Sequence, residues 1–282
     1  MKILITGATG FVGRHLIKRM SVQHELHLLV RSTSDCSHLL VSHIVVYTGN
    51  CRDLANYLTE NQIDGVIHLA SLYAAEHCSD QIEAIIHSNI LFGTMLLEAC
   101  KLAGTKWFLN TGTIWQNYNS PDYSDEYHPV NLYAASKQAF MTLAQYYIET
   151  SHLRFCTLKL CDTYGPNDTR KKIFSLFKQI AASGETLEMS PGEQFLDILH
   201  IDDVVEGFVL LSDRLQEGKD LRSEYVLSCG NQKSLREWAK LYADHYHVTL
   251  HIVWGGRPYR QREVMKPYVG HVLDGWKPKH LL

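Results

Sequence analysis

The chain has 282 residues, 45% hydrophobic and 20% charged, enough for about two domains of ~150 residues and a sizeable core. Its formal net charge of -3 offers no basic stripe for nucleic acid and no polybasic segment for an anionic membrane surface, so neither partner is expected. The chain starts in a strand-like KILITGATG with no charged leader, and no apolar run is expected to approach the ~20 residues of a membrane span.

Seven scattered cysteines without a C-x-x-C pair read as buried thiols of a cytoplasmic protein. Among the 16 histidines, His245, His247 and His251 in HYHVTLH lie close in sequence. No cysteine or carboxylate completes a ligand set there, and no metal is expected.

Taken in chain order, KILIT is a strand, FVGRHLIKRM has helical period, and ELHLLV is a strand again. HIVVYTG follows as a strand, then a helix from about Asp53, the strand DGVIHLA, and a long helix from about Ser79 to Leu102. TKWFLNTGT is a strand, NLYAASKQAFMTLAQYYIET a helix, and RFCTLKL a strand. Such alternation predicts parallel pairing with right-handed crossovers, the doubly wound α/β class. The regularity loosens after YGPND and resumes at ILHIDDVVEGFVLLSD. A Rossmann-type NADP-binding domain is therefore predicted over 1–163, completed by 199–228, with a smaller substrate-binding lobe made from 164–198 and 229–282.

LITGATGFVGRHLI places Gly7, Gly10 and Gly13 between the first strand and the first helix. A glycine allows the tight bend, another the close approach of backbone to a pyrophosphate, and the last close helix–strand packing. The helix amino terminus then faces the phosphates. Gly7, Thr9, Gly10, Phe11, Val12 and Gly13 form the expected phosphate cradle. An NAD site would typically end the next strand with an acid on the ribose. Here Arg31 and Ser32 offer a cation and a hydroxyl suited to a 2′-phosphate, with Asp35 past the strand end, so NADP(H) is favoured.

Tyr133 and Lys137 in NLYAASK stand four apart and share a helix face. A neighbouring ammonium favours the phenolate, so the pair reads as a general acid/base with Lys137 lowering the tyrosine pKa. LNTGTIWQ lies upstream and brings Thr111 to the same cavity, where its hydroxyl would bond a carbonyl oxygen.

Together the glycine loop, Thr111, Tyr133 and Lys137 resemble the short-chain dehydrogenase/reductase superfamily, and the chain length resembles its extended, nucleotide-sugar branch. The resemblance implies a cofactor lying along Leu69, Ala70 and Ser71, with Asn50 and Cys51 near the adenine and Asn89 on the helix behind the active site. DTYGPND, HIDDVV and LDGWKP look like that branch's lobe markers.

Dehydratases of the branch carry an Asp-Glu pair directly after the threonine, whereas this chain has Gly112 and Thr113. Epimerases mostly keep a tightly held NAD and an asparagine where Asp162 stands here, and Leu196 takes the place of their substrate-gripping arginine. KLCDTYGPNDTRKKI, SPGEQFLDILHIDD and GRPYRQREVM look most like the CDP-abequose and CDP-paratose synthase group. Those enzymes reduce the 4-keto group of a dideoxy nucleotide sugar for surface polysaccharides with NADPH. The resemblance implies a substrate site at Thr113, Asp162 and Thr163. Arg170, Lys171, Lys172, Arg257 and Arg260 supply cations suited to a diphosphate. It also implies a homodimer in which helices near 83–102 and 134–150 pair into a four-helix bundle. An NDP-sugar epimerase with its own bound NAD is the alternative activity, and a non-catalytic redox-sensing binder on the same fold is the alternative outside catalysis.

Overall fold

The computed structural model describes residues 1–39, 41–280 and 282. Its strands are β1 (Lys2–Thr6), β2 (Glu25–Val30), β3 (His43–Val46), β4 (Gly65–His68), β5 (Trp107–Thr113) and β6 (Arg154–Leu160), then the short β7 (Asp162–Tyr164), β8 (Leu187–Met189), β9 (Phe195–Leu196) and β10 (Ile198–His200). The last three are β11 (Glu224–Leu227), β12 (Lys233–Ser234) and β13 (Ile252–Trp254). The helices are α1 (Phe11–Met20), α2 (Cys51–Glu60), α3 (Ile82–Ile86), α4 (Phe92–Ala103), α5 (Leu132–Thr150), α6 (Ile173–Ser183), α7 (Ile201–Glu217) and α8 (Leu235–Tyr246).

Seven strands form one sheet in the order β3-β2-β1-β4-β5-β6-β11, all parallel. This is the Rossmann-type doubly wound fold expected from the alternation. Its strands are continuous apolar runs because both faces are covered. Alternating side chains sort the two cores: Ile3 and Ile5 pack with Leu16 of α1 and Phe208 of α7, while Leu4 packs with Leu96 of α4, Phe108 and Phe140 of α5. The strand order reverses between β1 and β4, which opens a crevice at the carboxyl ends of these strands.

Beyond the sheet, α6 and α8 close a separate aromatic core of Phe174, Phe177, Trp238 and Tyr242. Two parallel pairs, β10 with β7 and β13 with β8, stitch these segments together. The first brings Asp162–Tyr164 against Ile198–His200 and holds the 162–172 stretch at the crevice rim.

The long helix expected near 79–102 is present but not uniform. A 3₁₀ turn (Ser79–Gln81) leads into α3, a π segment (His87–Leu91) follows, and α4 completes it. By length and composition this Ser79–Ala103 stretch is apolar enough to cross a membrane, contrary to the expectation, although Ile85, Asn89, Leu96 and Leu97 are buried against the rest of the fold. The cysteines also depart from expectation. All seven are free, but Cys78 is exposed and Cys36 and Cys51 are half-buried.

Gly65 and Trp107 are neighbours across β4 and β5, and a Cβ on Gly65 would come within 1.9 Å of the indole. That indole is fully buried and donates Nε1–H to Gln216 Oε1 of α7 at 2.8 Å. Gly65→Ala is expected to destabilise the fold by about 1–3 kcal/mol through overpacking, read as a lower urea midpoint with an unchanged slope.

Candidate functional site

The crevice is a cleft of about 500 Å³ that runs from the glycine loop to the 160–172 segment. At its floor Gly7 adopts φ +72°, and a Cβ there would lie 2.7 Å from Ala70 N. A Cβ on Gly13 would lie 2.3 Å from Gly7 O, while Gly10 N–H donates to Gly7 O at 3.0 Å. Gly10 caps α1 without any side-chain acceptor, and no acid stands in the first turn. The first-turn N–H groups are therefore left for an anion, and this cradle fits the pyrophosphate of a dinucleotide.

Tyr133, Lys137 and Thr111 all line the cleft, as their spacing predicts. Asn131 caps α5 by accepting Ala134 N–H at 2.9 Å and donates to Ala75 O at 2.9 Å, which ties the start of α5 to the loop after β4. Asn89 braces the same region. Its Oδ1 accepts Leu72 N–H at 2.7 Å, and its Nδ2 donates to Leu72 O at 3.0 Å and to Ser136 Oγ at 2.9 Å. Ser136 in turn donates to Tyr133 O at 2.7 Å. The Asn89 amide is thus bonded within the protein and is not among the cleft-lining residues, and it supports the start of α5 that carries the tyrosine. Asn89 is carried by the π segment His87–Leu91 and is buried there.

Thr111 Oγ1 is buried and has no hydrogen-bond partner among the described residues. A buried polar group that stays unpaired is costly, and at a cleft wall it marks a place for a ligand atom. Tyr133 meets Tyr73 edge-on at 5.1 Å between ring centroids, and Tyr73 in turn faces Trp115 at 5.7 Å. Neither Tyr73 nor Trp115 is found by motif reading, because loop and strand-end aromatics carry no spacing signal. The Asn131 cap does have one, an asparagine directly before a helical run.

The electrostatics correct one expectation. Burial pushes the Tyr133 phenol up to about 12, and the cation that opposes this is Lys172, not Lys137. Lys137, only 2% exposed, is pushed down to about 8 by burial. One helical turn carries its ammonium inward, where it helps hold buried His68 neutral, its pKa lowered to about 3 chiefly by desolvation.

Lys172 donates to Asp162 Oδ1 at 2.9 Å and lies 4.7 Å over the Tyr73 ring. Arg170 is equally committed: it donates Nε–H and Nη2–H to Asp168 and Nη2–H to Thr163 Oγ1, and stacks 4.0 Å over Phe11 of the glycine loop. Both line the cleft, with Lys171, Asp162, Thr163 and Thr113. Thr113 also caps the turn at Ile114–Gln116, its hydroxyl oxygen accepting Trp115 N–H at 3.3 Å while its O–H stays available to donate.

Gly7, Gly10, Phe11, Val12, Gly13, Leu69 and Ser71 line the cleft as expected. Thr9, Ala70, Arg31, Ser32, Asn50 and Cys51 are not among its lining residues. Arg31 and Ser32 are exposed just past β2, and Asp35 is held by Ser37 through its backbone N–H at 3.0 Å and hydroxyl at 2.6 Å. Asn50 caps α2 by accepting Arg52 N–H. Arg257 and Arg260 are exposed and outside the lining, and Arg260 Nε sits 3.7 Å from Glu76 Oε1. The arginine that anchors their loop is Arg262, which donates to Pro129 O at 2.8 Å and Val130 O at 3.1 Å just before α5.

A dinucleotide cradle beside a tyrosine, a lysine and an unpaired threonine defines the nicotinamide-dependent class of Rossmann enzymes. The family model described as NAD dependent epimerase/dehydratase family matches residues 3–230, and the chain belongs to that family. It is 27% identical over 273 residues to the CDP-abequose synthase of Salmonella muenchen, covering 95% of this chain and 88% of that protein. Its fold matches the UDP-glucose 4-epimerase of Thermotoga maritima with a TM-score of 0.87 at 19% identity, over 100% and 94% of the two chains. It likewise matches the dTDP-glucose 4,6-dehydratase DesIV of Streptomyces venezuelae, solved with NAD bound, with a TM-score of 0.82 at 21% identity over 100% and 93%.

The depressed pKa of Lys137 has a consequence for stability. Between about 8 and its ordinary 10.5 the unfolded chain binds the extra proton, so stability rises as pH climbs through that window. Below pH 8 the buried ammonium costs about 3 kcal/mol. Lys137→Met is expected to raise Tm at pH 7, and the gain should shrink by pH 10.

Proposed function

We propose that this protein is an NADPH-dependent reductase of the 4-keto group of a deoxy nucleotide-diphosphate sugar. The observation that carries the reading is the unpaired Thr111 hydroxyl, buried in the cleft wall that it shares with Tyr133 and Lys137. The reduced nicotinamide supplies a hydride to the sugar C4, and the chain's own groups handle the oxygen and its proton. Thr111 donates a hydrogen bond to the carbonyl oxygen, and Tyr133 passes its proton to the oxygen as negative charge develops there. A phenol held protonated at neutral pH suits the reducing direction, and the Lys172 ammonium stabilises the phenolate left behind until solvent reprotonates it. Lys137 holds the nicotinamide ribose.

Elimination chemistry is disfavoured by packing. A Cβ on Gly112 would come within 2.8 Å of both Lys159 Cγ and Thr157 Cγ2, so no acid fits where a dehydratase needs one. The similarity to CDP-abequose synthase along nearly the whole chain supports a reductase of a CDP-linked dideoxy sugar or a related GDP-linked 6-deoxy sugar. Arg31 and Ser32 at the strand end, with Asp35 turned to Ser37, support a 2′-phosphate and hence NADPH.

The segments 164–198 and 229–282 form the proposed substrate lobe. Exposed Leu91, Leu102, Leu143 and Tyr146 on the two long helical stretches support a homodimer built on them. Free thiols suit a cytoplasmic location.

Incubation with a panel of 4-keto nucleotide sugars is expected to consume NADPH, with the alcohol at C4 identified by NMR. Carry-through of bound NAD with no net NADPH consumption would point instead to an epimerase. Tyr133→Phe is expected to bind NADPH normally and to lose about 10²–10⁴-fold in kcat. Arg31→Asp is expected to weaken NADPH at least about tenfold in Kd while sparing NADH, as one lost ion pair to phosphate predicts.

A further inference from the structure

The histidines of HYHVTLH enter no group of metal-type donors among the described residues. Such a group forms where two distant parts of the chain meet. His200 closes β10 and caps α7, Asp202 lies in the first turn of α7, and His280 comes from the carboxyl-terminal segment; their donor atoms lie within 4.8 Å of one another. His15 of α1 stands beside this group without joining it: its Nδ1 is 4.0 Å from Asp202 Oδ1 and its Nε2 bonds Pro166 O at 3.2 Å. Asp202 Oδ2 stands 3.6 Å from His200 Nδ1. Ligands about a tetrahedral ion with bonds of ~2.0–2.1 Å are separated by about 3.3 Å, so side-chain movements of up to about 1.5 Å would close the set.

Asp203 orients the His280 ring for ligation. Buried Asp203, 2% exposed, accepts the backbone N–H groups of Lys279 and His280 at 3.0 and 2.9 Å and pairs with His280 Nδ1 at 2.9 Å. Donation from Nδ1 leaves the lone pair on Nε2, the carboxylate–imidazole arrangement that accompanies metal-bound histidines. The His200 and His280 rings stack with centroids 4.7 Å apart. The Asp202 N–H reaches His200 Nδ1 at 3.2 Å, a long bond that a metal at that nitrogen would replace. Asp202 pairs with no lysine or arginine among the described residues, and its carboxylate is 55% exposed.

A second cluster, Glu25, His27 and His43, lacks this freedom. Both nitrogens of His27 are already bonded, to Tyr57 Oη at 2.7 Å and Glu25 Oε1 at 3.0 Å.

We propose that His200, Asp202 and His280 bind one divalent transition-metal cation, Zn²⁺ by the match of imidazole and carboxylate donors, and that the ion fastens the carboxyl-terminal segment to the start of α7. The site lies apart from the catalytic residues and needs no nucleotide sugar. The test uses the untagged full chain, stripped with chelator and titrated with Zn²⁺ by equilibrium dialysis and thermal unfolding. The expected result is one Zn²⁺ per chain and a Tm rise of about 5 °C or more at ~100 times the Kd, reversed by chelator. His280→Gln and Asp202→Asn should still fold without metal, each compared with its own metal-free Tm, and lose at least about tenfold in affinity, as removal of one ligand predicts. His43→Gln should bind like the parent. Absence of stoichiometric binding, binding indifferent to His280→Gln and Asp202→Asn, or binding lost in His43→Gln overturns the proposal.

Discussion

No side chain fits between the loop at residues 7–13 and the end of β4. Gly7 lies against Ala70 N and Leu69 C at distances that forbid a Cβ, and Gly13 lies against Gly7 O in the same way. This backbone-on-backbone contact places the amino terminus of α1 directly over the crevice opened by strand-order reversal. Thr6 strengthens it by sharing a hydrogen bond with His68 Nδ1 at 2.8 Å and accepting Ala70 N–H at 3.1 Å. Everything that makes the cleft a dinucleotide site depends on that clearance, because an anion meets bare N–H groups only where side chains are excluded.

The catalytic wall is held by a different device, a chain of buried amide and hydroxyl groups. Asn89, Ser136 and Asn131 join three segments far apart in sequence: the π segment, the start of α5 and the loop after β4. In a low-dielectric interior such a network is rigid when every member is satisfied. Asn89 meets that condition. Thr111 does not, and this contrast distinguishes a supporting polar group from one presented to a ligand.

The cations at the rim follow the same division. Arg170 and Lys172 are already paired with Asp168 and Asp162, so they shape the cleft as neutral pairs and not as an open anion clamp. Pairing to Asp162 keeps the Lys172 ammonium charged and beside Tyr73, where it acts on the Tyr133 phenol from across the cleft. Lys137 is desolvated on the opposite side and loses proton affinity instead. Two lysines in one pocket therefore have pKa values moved in opposite directions, Lys172 up by its pairing to Asp162 and Lys137 down by burial.

The amino-acid sequence by itself determined the strand–helix alternation, the glycine loop and the Tyr133–Lys137 spacing, because each is a local pattern with a single geometric meaning. Strand periodicity, backbone freedom at Gly7 and the helical repeat act over a few residues. Only the tertiary structure decided which cation faces the phenol, that the Asn89 amide is bonded within the protein, that Thr113 caps the turn after β5, and that His200 and His280 converge. Those outcomes depend on which side chains share a few ångströms of low-dielectric space after the crossovers are made, and no interval along the chain encodes that distance. Burial then outweighs local charge spacing, as the opposite shifts of Tyr133 and Lys137 record.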